Sequence, residues 1–173
     1  MDSKSSEKHR LPAPLKKITE DQLFDDKISS VSDLKPHFRN PKQFKGVYSR
    51  DEVDDIQLED GEYALINQDD EDGPGTHWVG IKRDGNMILY FDSFNLPPPQ
   101  TIVDWAQEAD PKLKLYANQG RRFQHVSSTA CGYFVTQFFN TVDTDDDYNQ
   151  FNEEWGSRTP RENEIELEKI FGI

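Results

Sequence analysis

The amino-acid sequence predicts an α+β fold, in which a central mixed or antiparallel sheet packs on a buried helix that begins at Cys131. Two observations predict this fold. The segment His77–Asp92 holds two strand-like runs on either side of Asp84-Gly85, a dipeptide favoured in two-residue hairpin turns. The segment Cys131–Val142 is apolar nearly all round, as is typical of a helix buried in the middle of a domain.

The N-terminal part of the chain predicts little regular structure. Residues 1–18 are expected to form a flexible arm, and residues 19–173 a single domain. A capping box predicts a short helix over about Thr19–Ile28. Residues 29–50 are expected to lack regular structure, because Pro36 and Pro41 interrupt them. Asp51–Glu62 is expected to be an acidic loop.

The central part predicts strands. Tyr63–Asn67 is a short apolar run of the buried-strand type. If Asp84 and Gly85 form the hairpin turn, cross-strand partners have numbers that sum to 169, and His77 lies opposite Asp92. Directly opposed residues point to the same face of a sheet, so the Asp92 carboxylate is expected to hydrogen-bond the His77 imidazole. A chance meeting of the two side chains on a solvated rim is the alternative.

The remaining elements follow from proline positions and apolar spacing. The prolines of Leu96–Gln100 end the hairpin. The expected helices are Thr101–Ala109, Cys131–Val142 and about Arg161–Phe171, and the expected strands are Lys112–Ala117 and Arg122–Val126.

Composition excludes several classes of function. A single cysteine leaves no internal disulfide, and four scattered histidines with one thiol show no zinc-ligand spacing, so neither a metal nor a cofactor is expected. No apolar run is long enough to cross a bilayer, and the N-terminus lacks the apolar segment of a signal peptide. We therefore expect a soluble, intracellular protein without a membrane partner.

Charge is unevenly distributed along the chain. Residues 1–50 carry 11 Lys/Arg and 7 Asp/Glu, whereas residues 51–173 carry 9 and 26, which gives net charges of +4 and −17. An acidic body repels phosphate backbones, so nucleic acid is a poor candidate for a major ligand. Weak nucleic-acid binding through the basic N-terminal arm stays open.

Cys131 is the candidate nucleophile. It lies where Ser127, Ser128 and Thr129 would cap a helix, so its thiol is expected at the positive end of the helix dipole, which favours the thiolate. An inert, buried thiol is the alternative. Gly132 beside it would let a substrate backbone approach closely.

The set His77-Trp78, Asp92, Gln124 and Cys131-Gly132 resembles the adenovirus-type cysteine proteases, a superfamily that includes the SUMO-specific proteases. The adenovirus-type and the SUMO-specific proteases both have these residues in the order His, acid, Gln, Cys along the chain. The seven-residue step from Gln124 to Cys131 is the adenovirus-type spacing. The resemblance implies that Cys131 attacks the scissile carbonyl, His77 acts as base, Asp92 orients His77 and Gln124 helps to hold the oxyanion. Gly132 and Trp78 are the candidate substrate-binding residues, but Trp78, on the opposite strand face from His77, fits core packing better than a direct catalytic role.

Three further stretches resemble the capsid-maturation proteases of Polinton/Maverick elements and virophages: FKGVYSRDE, GTHWV and YFDSFNLPPP. This resemblance implies a monomeric endopeptidase that cleaves capsid or virion precursor proteins inside the host cell or virion. Adenoviral enzymes have Glu where this chain has Asp92, and they are activated by a disulfide-linked peptide and DNA. We expect activity without either activator, because Cys131 is the only thiol and the body is acidic.

Two other functions stay open. One is a deconjugating protease of the SUMO or ubiquitin type, which needs a sizeable surface complementary to a folded substrate. The other is an inactive scaffold or nucleic-acid-binding virion component with the protease fold.

Overall fold

The computed structural model describes residues 29–68, 77–118, 120–125 and 127–173. Over these residues five strands form one mixed sheet in the order β1-β2-β3-β4-β5. The two edge strands run parallel to their neighbours, and the three central strands are antiparallel. The strands are β1 (Phe44–Ser49), β2 (Tyr63–Asn67), β3 (Trp78–Asp84), β4 (Met87–Phe91) and β5 (Lys114–Ala117).

Helices cover both faces of the sheet, so the predicted α+β class with a mixed sheet is confirmed. The α-helices are α1 (Val31–Leu34), α2 (Gln100–Ala109), α3 (Cys131–Thr141), α4 (Asp145–Gly156) and α5 (Pro160–Phe171). Short 3-10 helices cover Lys35–His37, Pro41–Gln43 and Arg50–Asp55.

Alternation along the strands divides the core between the two faces. Leu89 and Phe91 of β4 join the apolar cluster around α3, whereas Ile88 and Tyr90 join the cluster around α2. Such alternation follows from the two-residue period of a strand. Helix α3 is buried as its apolar sequence predicts, and it lies against β3 at Gly80, where a Cβ atom would be 2.7 Å from Val135 and Phe139 side-chain atoms.

The far end of α3 is held by a buried lysine. Lys82 of β3 donates from Nζ to the carbonyl of Phe139 at 3.0 Å and to Asp143 Oδ1 at 2.9 Å. The last carbonyls of a helix have no partner within the helix, so this ammonium satisfies one of them. Lys82 therefore anchors the C-terminus of α3, whereas Cys131 lies at its N-terminus.

The hairpin is confirmed, but the predicted register is wrong. Observed partners in β3 and β4 have numbers that sum to 171, as in Asp84 and Met87, so the turn is Gly85-Asn86. Gly85 has φ of 58°, whereas Asn86 does not have positive φ, which is the pattern of a type II′ turn with glycine first. The Gly85 N–H also donates to Asp60 Oδ1 at 2.8 Å, which supports the turn from outside the hairpin.

Several other boundaries differ from expectation. Residues 29–50 include strand β1, and residues 122–125 contain no strand. Helix α3 is capped by Ala130 without a side-chain hydrogen bond, so Ser127, Ser128 and Thr129 are not its caps. The predicted arm, the helix over Thr19–Ile28 and Val126 lie outside the described residues.

Candidate active site

His77 and Asp92 lie together at one end of the sheet, just before β3 and just after β4. The distance from His77 Nε2 to Asp92 Oδ1 is 2.7 Å. The Asp92 side chain is 1% exposed and the His77 side chain 14%, so water competes little for this contact. In the observed register the two residues are diagonal rather than directly opposed. They still share a face, because a shift of two residues preserves the alternation.

The surroundings of His77 favour its protonated form. Burial by itself lowers the pKa of the imidazole, but hydrogen bonds to Asp92 and to Cys131, with the negative charges of both groups, outweigh it and raise the pKa to about 10. Because His77 Nε2 is hydrogen-bonded to Asp92, Nδ1 is the ring nitrogen that remains to interact with the Cys131 thiol. At neutral pH the imidazole is therefore held in its protonated form beside the Cys131 side chain.

Phe94 holds the other side of this pair. Its ring stacks on the imidazole with centroids 4.7 Å apart, and its backbone N–H donates to Asp92 Oδ1 at 2.9 Å. The same carboxylate oxygen thus accepts from both Phe94 and His77. Sequence reasoning did not find Phe94, because its contact depends on the turn that follows β4.

Cys131 is the first residue of α3, and it is only 1% exposed. The Trp78 backbone N–H points to its Sγ at 3.5 Å, so the thiol lies beneath the strand that leads from His77. The first N–H groups of a helix have no partner within it, and the dipole places partial positive charge there. Both the helix end and the His77 imidazolium favour a thiolate at this position.

Gln124 is fully buried, and its side-chain amide is held at both ends. Ser93 Oγ donates to Gln124 Oε1, and Gln124 Nε2 donates to the Ser128 carbonyl at 2.8 Å. A carbonyl oxygen only accepts, so Ser128 determines which end of the amide carries the N–H groups. One hydrogen of Nε2 is used by Ser128, which leaves the second available to another acceptor.

Two segments are joined at Ser93. Its carbonyl accepts from the backbone N–H groups of Phe123 at 2.7 Å and Gln124 at 3.2 Å. The turn that carries Asp92 is therefore bonded directly to the segment that carries Gln124. Sequence reasoning missed Ser93 and this use of Ser128, since neither belongs to a local pattern that indicates such a contact.

The two residues assigned to substrate binding both lie in the core. Gly132 is buried, and a Cβ atom there would be 2.8 Å from Leu34 Cδ1, so glycine is needed for α1 to pack on α3. Trp78 is 7% exposed and donates from Nε1 to the Ser29 carbonyl at 2.8 Å. Packing between elements accounts for both residues, and their assignment to substrate binding stays a prediction.

Over the described parts of the chain, no cluster of three or more His, Cys, Asp or Glu side chains is arranged to hold a metal ion. In the same residues, no helix has the length and apolar character to cross a membrane.

The site brings together a thiol, an imidazole, a carboxylate and a carboxamide. The imidazole is placed to accept and return protons, and the thiol is the group it can activate. No protein-family model matches this chain, and no curated protein is similar enough in sequence to match it. What the site does is therefore inferred from these groups and their geometry.

Proposed function

We propose that this protein is a cysteine endopeptidase, in which Cys131 is the nucleophile and His77 the base. Asp92 orients His77, and Gln124 contributes to the oxyanion hole. The observation that carries the proposal is the 2.7 Å contact between His77 and Asp92. Beside it, the backbone N–H next to His77, that of Trp78, lies 3.5 Å from Cys131 Sγ at the start of a buried helix, and Cys131 helps to raise the pKa of the imidazole.

The residues divide the reaction as follows. The Cys131 thiolate attacks the scissile carbonyl, and the carbonyl oxygen becomes an oxyanion held by the Cys131 backbone N–H and the free Nε2 hydrogen of Gln124. The His77 imidazolium then gives its proton to the departing amine as the C–N bond breaks. In the second half, neutral His77 takes a proton from water, the water attacks the thioester, and Cys131 leaves as thiolate.

Asp92 serves both halves of this cycle. Because its Oδ1 accepts from His77 Nε2, the ring is held with Nδ1 toward the sulfur. Asp92 also stabilises the imidazolium that must form before the amine departs.

Capsid or virion precursor proteins are the proposed substrates, on the strength of the sequence resemblance. One resembling segment, YFDSFNLPPP, contains Asp92, Ser93 and Phe94, and another, FKGVYSRDE, spans β1 and enters the following 3-10 helix. An extended linker of a precursor protein would need a groove near His77 rather than a large docking surface.

One experiment tests the function directly. Candidate capsid precursors are incubated with the wild-type protein and with Cys131→Ala, and the masses of the new termini are determined. Cleavage by the wild type alone supports the proposal, and absence of cleavage of every precursor argues against the substrate class. A ubiquitin-like fusion and a glycine-containing peptide, tested in parallel, separate deconjugation from cleavage of an extended chain.

A second measurement tests the chemistry apart from the substrate. Iodoacetamide should alkylate Cys131 rapidly in the wild type, because the His77 imidazolium and the start of α3 favour the reactive thiolate. In His77→Ala the rate should fall by about tenfold or more, because the partner that favours the thiolate is lost. Equal rates in the two proteins would exclude the proposed role of His77.

A further inference from the structure

Ser128 lies between the two candidate oxyanion donors. Its carbonyl accepts from Gln124 Nε2 at 2.8 Å, and its hydroxyl accepts from the Ala130 backbone N–H at 3.1 Å. Ala130 is the residue before Cys131 and caps α3. A single serine therefore orients the Gln124 amide with one group and the peptide leading into Cys131 with the other.

The Ser128 hydroxyl has its own acceptor in the C-terminal helix. A side-chain hydrogen bond from Ser128 is one of the causes that lower the pKa of Glu164 in α5. Glu164 is only 3% exposed, and its Oε2 also accepts from the His125 backbone N–H at 3.2 Å. Burial raises the pKa of Glu164, and the hydrogen bonds from His125 and Ser128 oppose that rise by favouring the carboxylate.

The neighbouring residue of α5 holds the start of the same loop. Asn163 is fully buried, and its Nδ2 donates to the carbonyls of Phe123 at 3.1 Å and Trp155 at 2.8 Å. Asn163 and Glu164 thus bind at Phe123, at His125 and at Ser128. Because Asn163 also bonds the Trp155 carbonyl, the segment is linked through α5 to α4.

We infer that Glu164 is a positioning residue for the oxyanion hole, which acts through Ser128 on Gln124 and on the backbone at Cys131. This inference rests on the proposed protease function. Donors stabilise an oxyanion effectively only when they are held in place before the charge forms. Without Glu164 the Ser128 hydroxyl and the His125 N–H both lose a carboxylate acceptor, so the loop is free to shift.

The test separates transition-state stabilisation from the nucleophile itself. Peptide hydrolysis needs the oxyanion hole, whereas alkylation of Cys131 by iodoacetamide forms no oxyanion. In Glu164→Ala and in Ser128→Ala, kcat should fall by about 10- to 100-fold, less than the loss expected for removal of a donor itself. KM and the alkylation rate should each stay within about threefold of the wild-type values, because substrate binding and the thiolate are untouched.

Two further variants complete the experiment. Glu164→Gln keeps a carbonyl acceptor and should recover most of kcat. Glu162→Ala alters the same helix two residues earlier, where the Glu162 carboxylate accepts from the Thr159 backbone N–H, and it should leave kcat unchanged. Thermal unfolding of each variant shows whether it is folded at the assay temperature.

The outcomes distinguish the inference from the function on which it rests. Unchanged kcat in both folded Glu164→Ala and folded Ser128→Ala would overturn the inference alone. Alkylation slowed in proportion to kcat would also overturn it, because the defect would then lie in the nucleophile. A wild-type protein that cleaves no peptide would overturn the proposed function and the inference together.

Discussion

The ring of Phe94 stacks on the imidazole of His77, with centroids 4.7 Å apart and 25° between the planes. The Phe94 backbone N–H meanwhile donates to Asp92 Oδ1, the oxygen that contacts His77. One residue thus positions both members of the pair, His77 through its side chain and Asp92 through its backbone.

Phe94→Ala should lower kcat/KM by about tenfold, because an unsupported imidazole spends less time in the geometry that the reaction needs. Phe94→Leu keeps an apolar side chain against the His77 ring, so its kcat/KM should fall less. Steady-state kinetics on a peptide substrate measure both effects. The rate of alkylation by iodoacetamide should also fall more in Phe94→Ala than in Phe94→Leu, if the thiolate depends on the position of His77.

A matched control lies elsewhere in the molecule. Phe171 also packs on a histidine, with its ring centroid 5.1 Å from that of His37, but this pair is not part of the site. Phe171→Ala should leave kcat/KM unchanged. An equal loss in Phe171→Ala and Phe94→Ala would mean that general destabilisation, rather than the contact with His77, explains the effect.

The raised pKa of His77 predicts a pH dependence of stability. Burial lowers this pKa, but contacts with Asp92 and Cys131 raise it to about 10 from the ordinary value of 6.5. The protonated ring therefore stabilises the fold fully below pH 6.5, and this contribution is lost as the pH rises to about 10.

Urea unfolding of the wild type and His77→Gln isolates this contribution, because the two proteins share nearly all other groups that titrate in the range. The difference in their free energies of unfolding should be largest at pH 6 and should narrow progressively toward pH 10. A difference that stays constant over this range would show that the pKa of His77 is not raised.

Gly80→Ala should destabilise the protein by about 1–3 kcal/mol, because the added methyl meets a well-packed core. Its Cβ would lie 2.7 Å from atoms of Val135 and Phe139, both fully buried side chains of α3. Gly156→Ala is the control, since its Cβ would lie 3.6 Å from Phe123, an ordinary contact. Urea unfolding should show a loss in the first variant and none in the second.

Lys82→Met should also destabilise the fold, by about 1–3 kcal/mol, because the buried carbonyl of Phe139 loses its donor. Lys45→Met is the matched comparison. Lys45 Nζ lies 3.6 Å from Glu62 with its side chain 44% exposed, and such surface pairs contribute about 0–1 kcal/mol. Equal losses in the two variants would contradict the anchoring of α3 by Lys82.

Local patterns predicted most of the regular structure near the site. Strand β2, the hairpin, α2 and α3 were all expected, because each has apolar spacing that suits only one kind of element. The edge strand β1 was not expected. Gly46 within it has φ of 120°, and its pairing with β2 shows an irregular register, so neither a clean alternation nor a hairpin turn marks it in the sequence.

The sequence by itself determined that His77 and Asp92 share a face and that Cys131 begins a buried helix. Both predictions hold although the hairpin register and the helix cap were predicted wrongly. Side chains along a strand alternate with a period of two, and an apolar helix must be buried. The predicted turn lies one residue before the observed one, which changes the register by two residues. Because this change is an even number, His77 and Asp92 still lie on the same face and make the 2.7 Å contact.

Only the tertiary structure decided how the rest of the site is held. Gln124 is bonded by Ser93, 31 residues earlier, and its loop is held by Glu164 on the last helix, 39 residues after His125. The stacking of Phe94 on His77 likewise depends on the turn after β4. Such hydrogen bonds and ring contacts follow from how loops and helices dock, and no local propensity or periodicity in the sequence encodes the partner.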